Sequence, residues 1–284
     1  MTTNTIMNPA AVDLTNAVDG HFIGEKLADL VDAQIFRVTT NKVFTEEANY
    51  IKKTCEHSDL NKIIDFGCWT GILASEVFAT GLKLDNYHLI DAVPFYMNIA
   101  LSLNKGQPVT NELVTLLPPS YKGAPPTSML VHPYDTLNSS SIYSGYFLKD
   151  SVKEANVRVP LSASATIVDY IKKNAERLGS KDTYVKVDLD GCDIEMMAEL
   201  IKNNVAPGAV QFEVWNTFKS GYTRVCTALA SMGYKIPTAN LHIHQTFSVG
   251  MSRDYWWAVG YDNLGTNYQC TYYDLDHGEA AASF

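Results

Sequence analysis

The stretch that decides the fold is Lys62-Ile63-Ile64-Asp65-Phe66-Gly67-Cys68-Trp69-Thr70-Gly71, an apolar run that turns sharply at its glycines. Where an apolar strand turns into a helix, glycines let the backbone approach a ligand, and the helix N-terminus offers unpaired N–H groups. Asp91 lies twenty residues after Gly71, at the end of the next apolar segment, where a carboxylate can meet ribose hydroxyls. The stretch therefore predicts a nucleotide-cofactor site. The alternative is an ordinary strand, turn and helix with incidental glycines.

The spacing of the glycines narrows the choice of cofactor. The turn reads D-x-G-x-x-x-G, whereas the dinucleotide fingerprint is G-x-G-x-x-G directly after the strand. Trp69 stands where the second glycine of that fingerprint would let a pyrophosphate come close. A cofactor with ribose and adenine but no pyrophosphate fits better, and S-adenosylmethionine is the candidate. The residues predicted to bind it are Asp65, Gly67, Cys68, Trp69, Gly71, Asp91 and Ala92.

Composition and charge limit the class of protein. The chain has 284 residues, of which 46% are hydrophobic, and this favours one large α/β domain. The formal net charge is -9 and Lys and Arg form no dense run, which disfavours a nucleic-acid partner held through its phosphates. The five cysteines are widely separated and form no C-x-x-C pair, as expected of reduced structural thiols. We expect neither a secretion signal nor a membrane span, and hence a cytoplasmic protein.

The order of the predicted elements favours an α/β fold. Apolar strands alternate with segments of helical spacing, and the first strand, helix and second strand form a right-handed βαβ unit. Residues 128–132 indicate a third strand, and residues 241–247 and 256–261 indicate a late antiparallel pair. This pattern is similar to the class I methyltransferase layout. That layout is a doubly wound, mostly parallel, seven-stranded Rossmann-like sheet with an antiparallel C-terminal hairpin.

The same pattern predicts how the chain is divided. Residues 1–44 form an N-terminal extension and residues 45–284 form the domain. Two segments, 104–126 and 136–160, interrupt it as insertions or cover loops, and the first contains a short helical stretch near 113–117. A loop after a parallel strand lies at the ligand-binding edge of the sheet, so the second segment could cover a substrate.

A second motif resembles a known family. The run Tyr184-Val185-Lys186-Val187-Asp188-Leu189-Asp190-Gly191-Cys192-Asp193, with Phe212-Glu213-Val214 after it, resembles the K-[IV]-D-[VI]-E-G-x-E signature of FkbM-type methyltransferases. The resemblance covers residues 63–215, and it implies a class I fold and methyl transfer from S-adenosylmethionine. Asp190 and Asp193 stand where glutamates are usual in the family, which leaves the reach of these side chains and the substrate preference open.

The strand ends supply the candidate catalytic residues. Asp188 and Asp190 are two positions apart, so their carboxylates could share a face as a base or a metal-ligand pair, unless one caps the next helix. Glu213 could complete an oxygen-ligand set for Mg²⁺ or another divalent cation such as Ca²⁺, or be a salt-bridged or exposed acid. His244, two positions after His242, is the third catalytic candidate, and the FkbM resemblance favours it. The alternative for either histidine is a structural role.

Three functions are compatible with these motifs. The first is an S-adenosylmethionine-dependent O-methyltransferase that acts on a hydroxyl of a sugar, a glycan or a small natural product. In-line methyl transfer requires that donor and acceptor be positioned and that the proton of the acceptor be taken up. The second is an NAD-dependent oxidoreductase, which would need the third glycine of the dinucleotide fingerprint and a second nucleotide-binding half, neither of which the sequence indicates. The third is a catalytically silent cofactor-binding or interaction module. The acceptor and the oligomeric state stay open, with a homo-oligomer among the alternatives.

Overall fold

The computed structural model describes residues 43–131, 157–189, 191–215, 219–237, 246–264, 267–274 and 280–281. The helices in these ranges are α1 (Val43–Ser58), α2 (Ile72–Ala79), α3 (Pro94–Leu103), α4 (Ile167–Leu178), α5 (Asp193–Lys202) and α6 (Lys219–Ser231). The strands are β1 (Lys62–Phe66), β2 (Asn86–Asp91), β3 (Val109–Leu113), β4 (Thr115–Leu117), β5 (Ser128–Val131), β6 (Val157–Pro160), β7 (Ser164–Thr166), β8 (Thr183–Val187), β9 (Ala209–Trp215), β10 (Thr246–Ser252), β11 (Trp256–Leu264), β12 (Asn267–Asp274) and β13 (Ala280–Ala281).

The main sheet has nine strands in the order β13-β12-β11-β10-β9-β8-β1-β2-β3. Strands β3, β2, β1, β8 and β9 are parallel to one another, and β10 to β13 are antiparallel to their neighbours. Lys62 at the start of β1 pairs with Asn86 on one side and with Thr183 on the other. The predicted fold class is confirmed. The seven neighbouring strands β3-β2-β1-β8-β9-β10-β11 form a mostly parallel sheet that ends in an antiparallel hairpin. Strands β12 and β13 extend it.

The chain reverses its direction of travel across the sheet at β1. Strands β2 and β3 lie on one side of β1, and β8 and β9 lie on the other. In an open α/β sheet, the crevice at the carboxyl ends of the strands at such a switch point is where ligands bind. The ends of β1, β2 and β8 therefore define the region of interest.

Helices cover both faces of the sheet, as the alternating apolar pattern requires. Ala48 of α1, Leu73 of α2 and Ala100 of α3 pack in one buried cluster with Ile63 and Tyr184 of the sheet. The opposite face carries α4, α5 and α6, whose buried residues pack against the other side of the same strands. Because the strands are covered on both faces, the switch point is accessible from the strand ends alone.

Two predicted elements differ in the structure. The third strand of the main sheet is β3, which lies in the segment 104–126 that the sequence indicates as an insertion. The predicted strand at 128–132 is β5 instead, and it pairs antiparallel with β6 in a separate two-stranded sheet. The helical stretch expected near 113–117 is also wrong, because strand β4 occupies it and pairs with β7.

Smaller expectations have mixed outcomes. Strands β10 and β11 pair antiparallel as predicted, although β10 begins at Thr246 rather than at residue 241. Cys55, Cys68, Cys192 and Cys226 are buried free thiols, in agreement with a structural role. Within the described ranges, no helix has the length and apolar character needed to cross a membrane.

Candidate functional site

The turn between β1 and α2 uses most of its own backbone amides internally. The N–H groups of Gly67 and Cys68 both donate to the carbonyl oxygen of Ile90, at 2.9 and 3.1 Å. The N–H of Trp69 donates to Asp91 Oδ2 at 2.9 Å, and that of Gly71 donates to the Cys68 carbonyl oxygen at 2.9 Å. An anion-binding turn needs such amides free to point at the ligand. This turn is therefore closed against its neighbouring strand.

The glycines of the turn are required by packing within the protein. Gly67 has a φ of 75°, and a Cβ atom there would lie 1.8 Å from the carbonyl oxygen of Asp188. Gly71 has a φ of 69°, and a Cβ atom there would lie 2.7 Å from the Cβ of Ala100 in α3. The first glycine thus brings the β1 turn against the end of β8, and the second brings it against α3.

Asp91 joins the ends of β1 and β2. Its Oδ2 accepts the N–H of Trp69, and its Oδ1 accepts the N–H of Val93 at 2.8 Å. The side chain is 9% exposed, and this burial raises the pKa of Asp91 to about 7 even though the backbone N–H groups act to lower it. Each carboxylate oxygen has a second lone pair, so the residue can still accept a hydroxyl from a ligand. The following residue, Ala92, accepts the N–H of Ser162 through its carbonyl oxygen at 2.8 Å.

Trp69 and Thr70 place polar atoms in the buried part of the turn. Trp69 has a φ of 47°, which is unusual for a residue other than glycine, and its ring packs edge-on against Tyr96. It lies in a buried cluster with Met129 of β5 and Val159 of β6, so the small sheet covers the turn. Trp69 Nε1 and Thr70 Oγ1 are buried and have no hydrogen-bond partner in the described structure. Both could bond to a ligand. Thr70 is absent from the residues that the sequence predicts.

A buried lysine connects the interior of the sheet with the end of β8. Lys186 Nζ donates to Asp65 Oδ1 at 3.1 Å and to Asp188 Oδ2 at 3.2 Å. The Lys186 side chain is 4% exposed, whereas that of Asp188 is 34% exposed. Asp65 also accepts the hydroxyl of Tyr87 at 2.9 Å. Lys186 thus holds one carboxylate oxygen of Asp188, whose partly exposed side chain lies at the carboxyl end of β8.

The acids around Lys186 set its protonation state. Burial acts to lower the pKa of Lys186, but the carboxylates of Asp188 and Asp65 outweigh it and hold that pKa well above its ordinary value. Burial, reinforced by the charge of Asp65, raises the pKa of Tyr87 well above its usual range. Lys186 is therefore a permanent cation and Tyr87 a permanent hydroxyl donor at neutral pH. A lysine inside an apolar strand is a sequence signal for a buried acidic partner, and it could have been used to find this pair.

Asp193, the first residue of α5, organises the turn that follows β8. Its Oδ1 accepts the N–H of Leu189 at 3.1 Å and its Oδ2 accepts the N–H of Gly191 at 3.2 Å. Burial, with a contribution from the charge of Asp188, raises the pKa of Asp193 to about 7. Asp193 therefore fixes the turn that precedes α5 and does not cap that helix, whose N-cap residue Cys192 makes no side-chain cap hydrogen bond. A capping role for Asp190 stays a prediction, because that residue lies outside the described residues.

The remaining predicted residues are only partly brought together. Asp190 and His244 lie outside the described residues, so their roles stay predictions. Glu213 lies in β9, opposite Ser248 of β10. In the part of the chain that the structure describes, no group of three or more His, Cys, Asp and Glu side chains is arranged to hold a metal ion. Asp65, Gly67, Cys68, Trp69, Gly71, Asp91 and Ala92 do come together in the β1 turn and the adjoining strand ends.

The comparisons with known proteins place few limits on this site. No family model matches the chain, and no curated protein matches it. Among solved structures, the ribosomal protein L11 methylase from Lactobacillus delbrueckii subsp. bulgaricus is similar to it, with a TM-score of 0.34 and 13% sequence identity. The similarity covers 68% of this chain and 70% of that one. At this level of similarity, the site has to be interpreted from its own geometry.

Proposed function

We propose that this protein is an S-adenosylmethionine-dependent O-methyltransferase that binds its methyl donor at the carboxyl ends of β1, β2 and β8. The observation that carries the proposal is the closed turn after β1, whose amides at Gly67, Cys68, Trp69 and Gly71 all donate within the protein. A donor with adenine, ribose and a sulfonium but no phosphate does not need those amides.

The same observation disfavours the NAD-dependent alternative. The pyrophosphate of a dinucleotide binds against free backbone amides, and it needs a glycine at the position of the turn where this protein has Trp69. The Trp69 side chain is buried there. The acids Asp91 and Asp188 lie at the strand ends, and the ammonium of Lys186 is already paired with two carboxylates. These surroundings repel a pyrophosphate and attract the positive charge of a sulfonium.

Asp91 is proposed to bind the ribose. It lies at the end of β2, next to β1, and its carboxylate accepts N–H groups from the two turns that border the site. A ribose hydroxyl can use the remaining lone pairs of the same oxygens. Thr70 Oγ1 and Trp69 Nε1, buried and without hydrogen-bond partners among the described residues, offer further contacts to the donor.

Asp188 is proposed to lie beside the acceptor. Its side chain is partly exposed at the end of β8, and Lys186 engages one of its oxygens. The other oxygen can accept the proton of a hydroxyl as the methyl group is transferred in line. Asp190 and His244 are further candidates for this role. Three further parts of the proposal rest on the sequence pattern. They are a sugar, glycan or natural product as the acceptor, the FkbM type of methyltransferase and a cytoplasmic location. A divalent cation is not part of the proposal.

The function is tested by following an isotope-labelled methyl group. The protein is incubated with labelled S-adenosylmethionine and with candidate sugars, natural products and extracts of its own source, and products are examined by mass spectrometry. We expect a labelled product whose methyl group is bonded to oxygen. Asp188→Asn should slow its formation by about a hundredfold or more, because the proton acceptor is lost.

The matched control is Asp182→Asn. Asp182 immediately precedes β8, at the opposite end of that strand, where it accepts a hydrogen bond from Lys62 at 2.7 Å. This variant should transfer the label at the normal rate. If none of the candidate acceptors is labelled, or if the labelled methyl group is bonded to carbon or nitrogen, O-methylation is contradicted. If Asp188→Asn transfers the label as fast as the wild type, the proposed role of Asp188 is contradicted.

A further inference from the structure

The Asp193 side chain holds the turn between β8 and α5. The carboxylate of Asp193 accepts the N–H of Leu189 and the N–H of Gly191, so it bridges the two residues on either side of position 190. Asp193 is 2% exposed, which makes both hydrogen bonds costly to lose. The conformation of the turn therefore depends on a buried carboxylate at the start of α5.

This turn is also a wall of the proposed donor site. The carbonyl oxygen of Asp188 packs against Gly67 of the β1 turn, and the N–H of Asp188 donates to the carbonyl oxygen of Phe66 at 3.0 Å. Strand β1 lies between β2 and β8. If the ribose lies at Asp91 on β2, the remainder of the donor extends across β1 towards the β8 turn.

We propose that Asp193 is a positioning residue that sets Leu189 and Gly191 of the β8–α5 turn, and with them Asp188, against the methionine end of the donor. The inference rests on the proposed function and deepens it, because it divides the site into two parts. Asp91 serves the adenosine part, and Asp193 serves the part that carries the sulfonium and the methyl group.

Calorimetry with two ligands tests this division. S-adenosylhomocysteine contains both parts of the donor, and adenosine contains the ribose part alone. Asp193→Asn removes the charge and one of the two acceptors without a change in size. We expect its affinity for S-adenosylhomocysteine to fall about tenfold or more, while that for adenosine stays within about twofold.

Two matched variants separate positioning from stability. Asp169→Asn makes the same change in the first turn of α4, where the N–H of Asp169 donates to Thr166 at 3.0 Å, and it should bind both ligands normally. Asp193→Glu restores the carboxylate and carries the residue usual in the FkbM signature. We expect it to recover most of the affinity for S-adenosylhomocysteine. If Asp193→Glu is as weak as Asp193→Asn, or if both ligands lose affinity equally, the inference is overturned.

A second pair of variants changes the turn without touching Asp193. Gly191 has a φ of 101°, and no atom of the described residues lies within 4 Å of where a Cβ would be, so Gly191→Ala is expected to act through backbone strain. Gly81, after α2, has a φ of 80° and likewise no neighbour within 4 Å in the described part of the chain. We expect Gly191→Ala to lower the affinity for S-adenosylhomocysteine but not that for adenosine. Gly81→Ala should leave both affinities unchanged. Equal affinities in the two variants would contradict the inference, even if Asp193→Asn did not fold.

Hydrogen exchange distinguishes failure of the inference from failure of the proposed function. In Asp193→Asn without ligand, the amides of Leu189 and Gly191 should exchange faster while that of Trp69 stays protected by Asp91. If the wild-type protein binds no S-adenosylhomocysteine, the proposed function fails, but faster exchange would still support control of the turn by Asp193. Unchanged exchange at both amides would overturn that control whatever the ligand.

Discussion

At the scale of single residues, Asp91 has a second role that its position in the sequence does not reveal. The sequence places an acid at the end of the second strand, where ribose hydroxyls are expected. The structure shows that the same carboxylate also accepts the N–H groups of Trp69 and Val93. Those bonds depend on how the two turns meet in space, and no local pattern encodes this. The residue therefore links the shape of the turn to ligand binding.

Asp91 should make the stability of the fold depend on pH. Its pKa is about 7 in the folded protein, above its ordinary value of 3.8, so the folded state holds more protons than the unfolded state between these values. The contribution of Asp91 is therefore fully present below about pH 4 and is lost as the pH rises through about 7. Asp193 acts in the same direction.

We predict that Asp91→Asn removes part of this dependence. The measurement is the free energy of unfolding in urea from pH 4 to pH 8, for the wild type and for Asp91→Asn. The difference between the two proteins isolates Asp91, because the other titrating groups cancel. We expect the wild type to lose stability relative to the variant as the pH rises. A difference that stays constant with pH would show that Asp91 does not titrate in this range.

At the scale of elements, the β1 turn shows why its glycines are needed. A Cβ at Gly67 would overlap the carbonyl oxygen of Asp188, whereas a Cβ at Gly81 would meet no atom of the described ranges within 4 Å. Both residues have a φ in the left-handed region, at 75° and 80°. They therefore differ in steric space and not in backbone strain, which makes them a matched pair.

We predict unequal losses of stability from alanine at these two glycines. Gly81→Ala should cost about 1–2 kcal/mol, the price of a left-handed conformation. Gly67→Ala should cost more than that, because the ends of β1 and β8 must also separate. Chemical denaturation of both variants measures the difference. Equal losses would mean that the contact between Gly67 and Asp188 does not limit the packing of the two strands.

Among the parallel strands of the main sheet, those that the sequence predicts correctly have two buried faces. Strands β1, β2, β8 and β9 are apolar runs because helices cover them on both sides. Strand β3, Val-Thr-Asn-Glu-Leu, is an edge strand with exposed positions, so its sequence resembles a loop. Residues 128–131 have the apolar character of a core strand but form β5, which covers Trp69 from outside the main sheet. Apolar character reports burial, and it does not report which sheet a strand joins.

At the scale of the whole molecule, the parallel strands bring three sequence-distant segments to one edge. The turn after β1, the end of β2 and the turn after β8 meet through hydrogen bonds from Gly67, Trp69 and Asp188. The motifs and their separation along the chain are enough to predict this meeting point. The internal use of the turn amides and the pairing of Lys186 with two acids depend on the folded arrangement, and they are what favour a cationic donor without phosphate.

The most direct test of the central claim is calorimetry of the purified protein with S-adenosylhomocysteine and with NAD. We predict saturable binding of S-adenosylhomocysteine and none of NAD, because the amides of Gly67, Cys68, Trp69 and Gly71 in the β1 turn already donate within the protein. Asp91→Ala should lower the affinity for S-adenosylhomocysteine far more than Asp188→Ala does, because Asp91 is proposed to hold the ribose and Asp188 to take up the proton of the acceptor. Saturable binding of NAD with no response to S-adenosylhomocysteine would contradict the account.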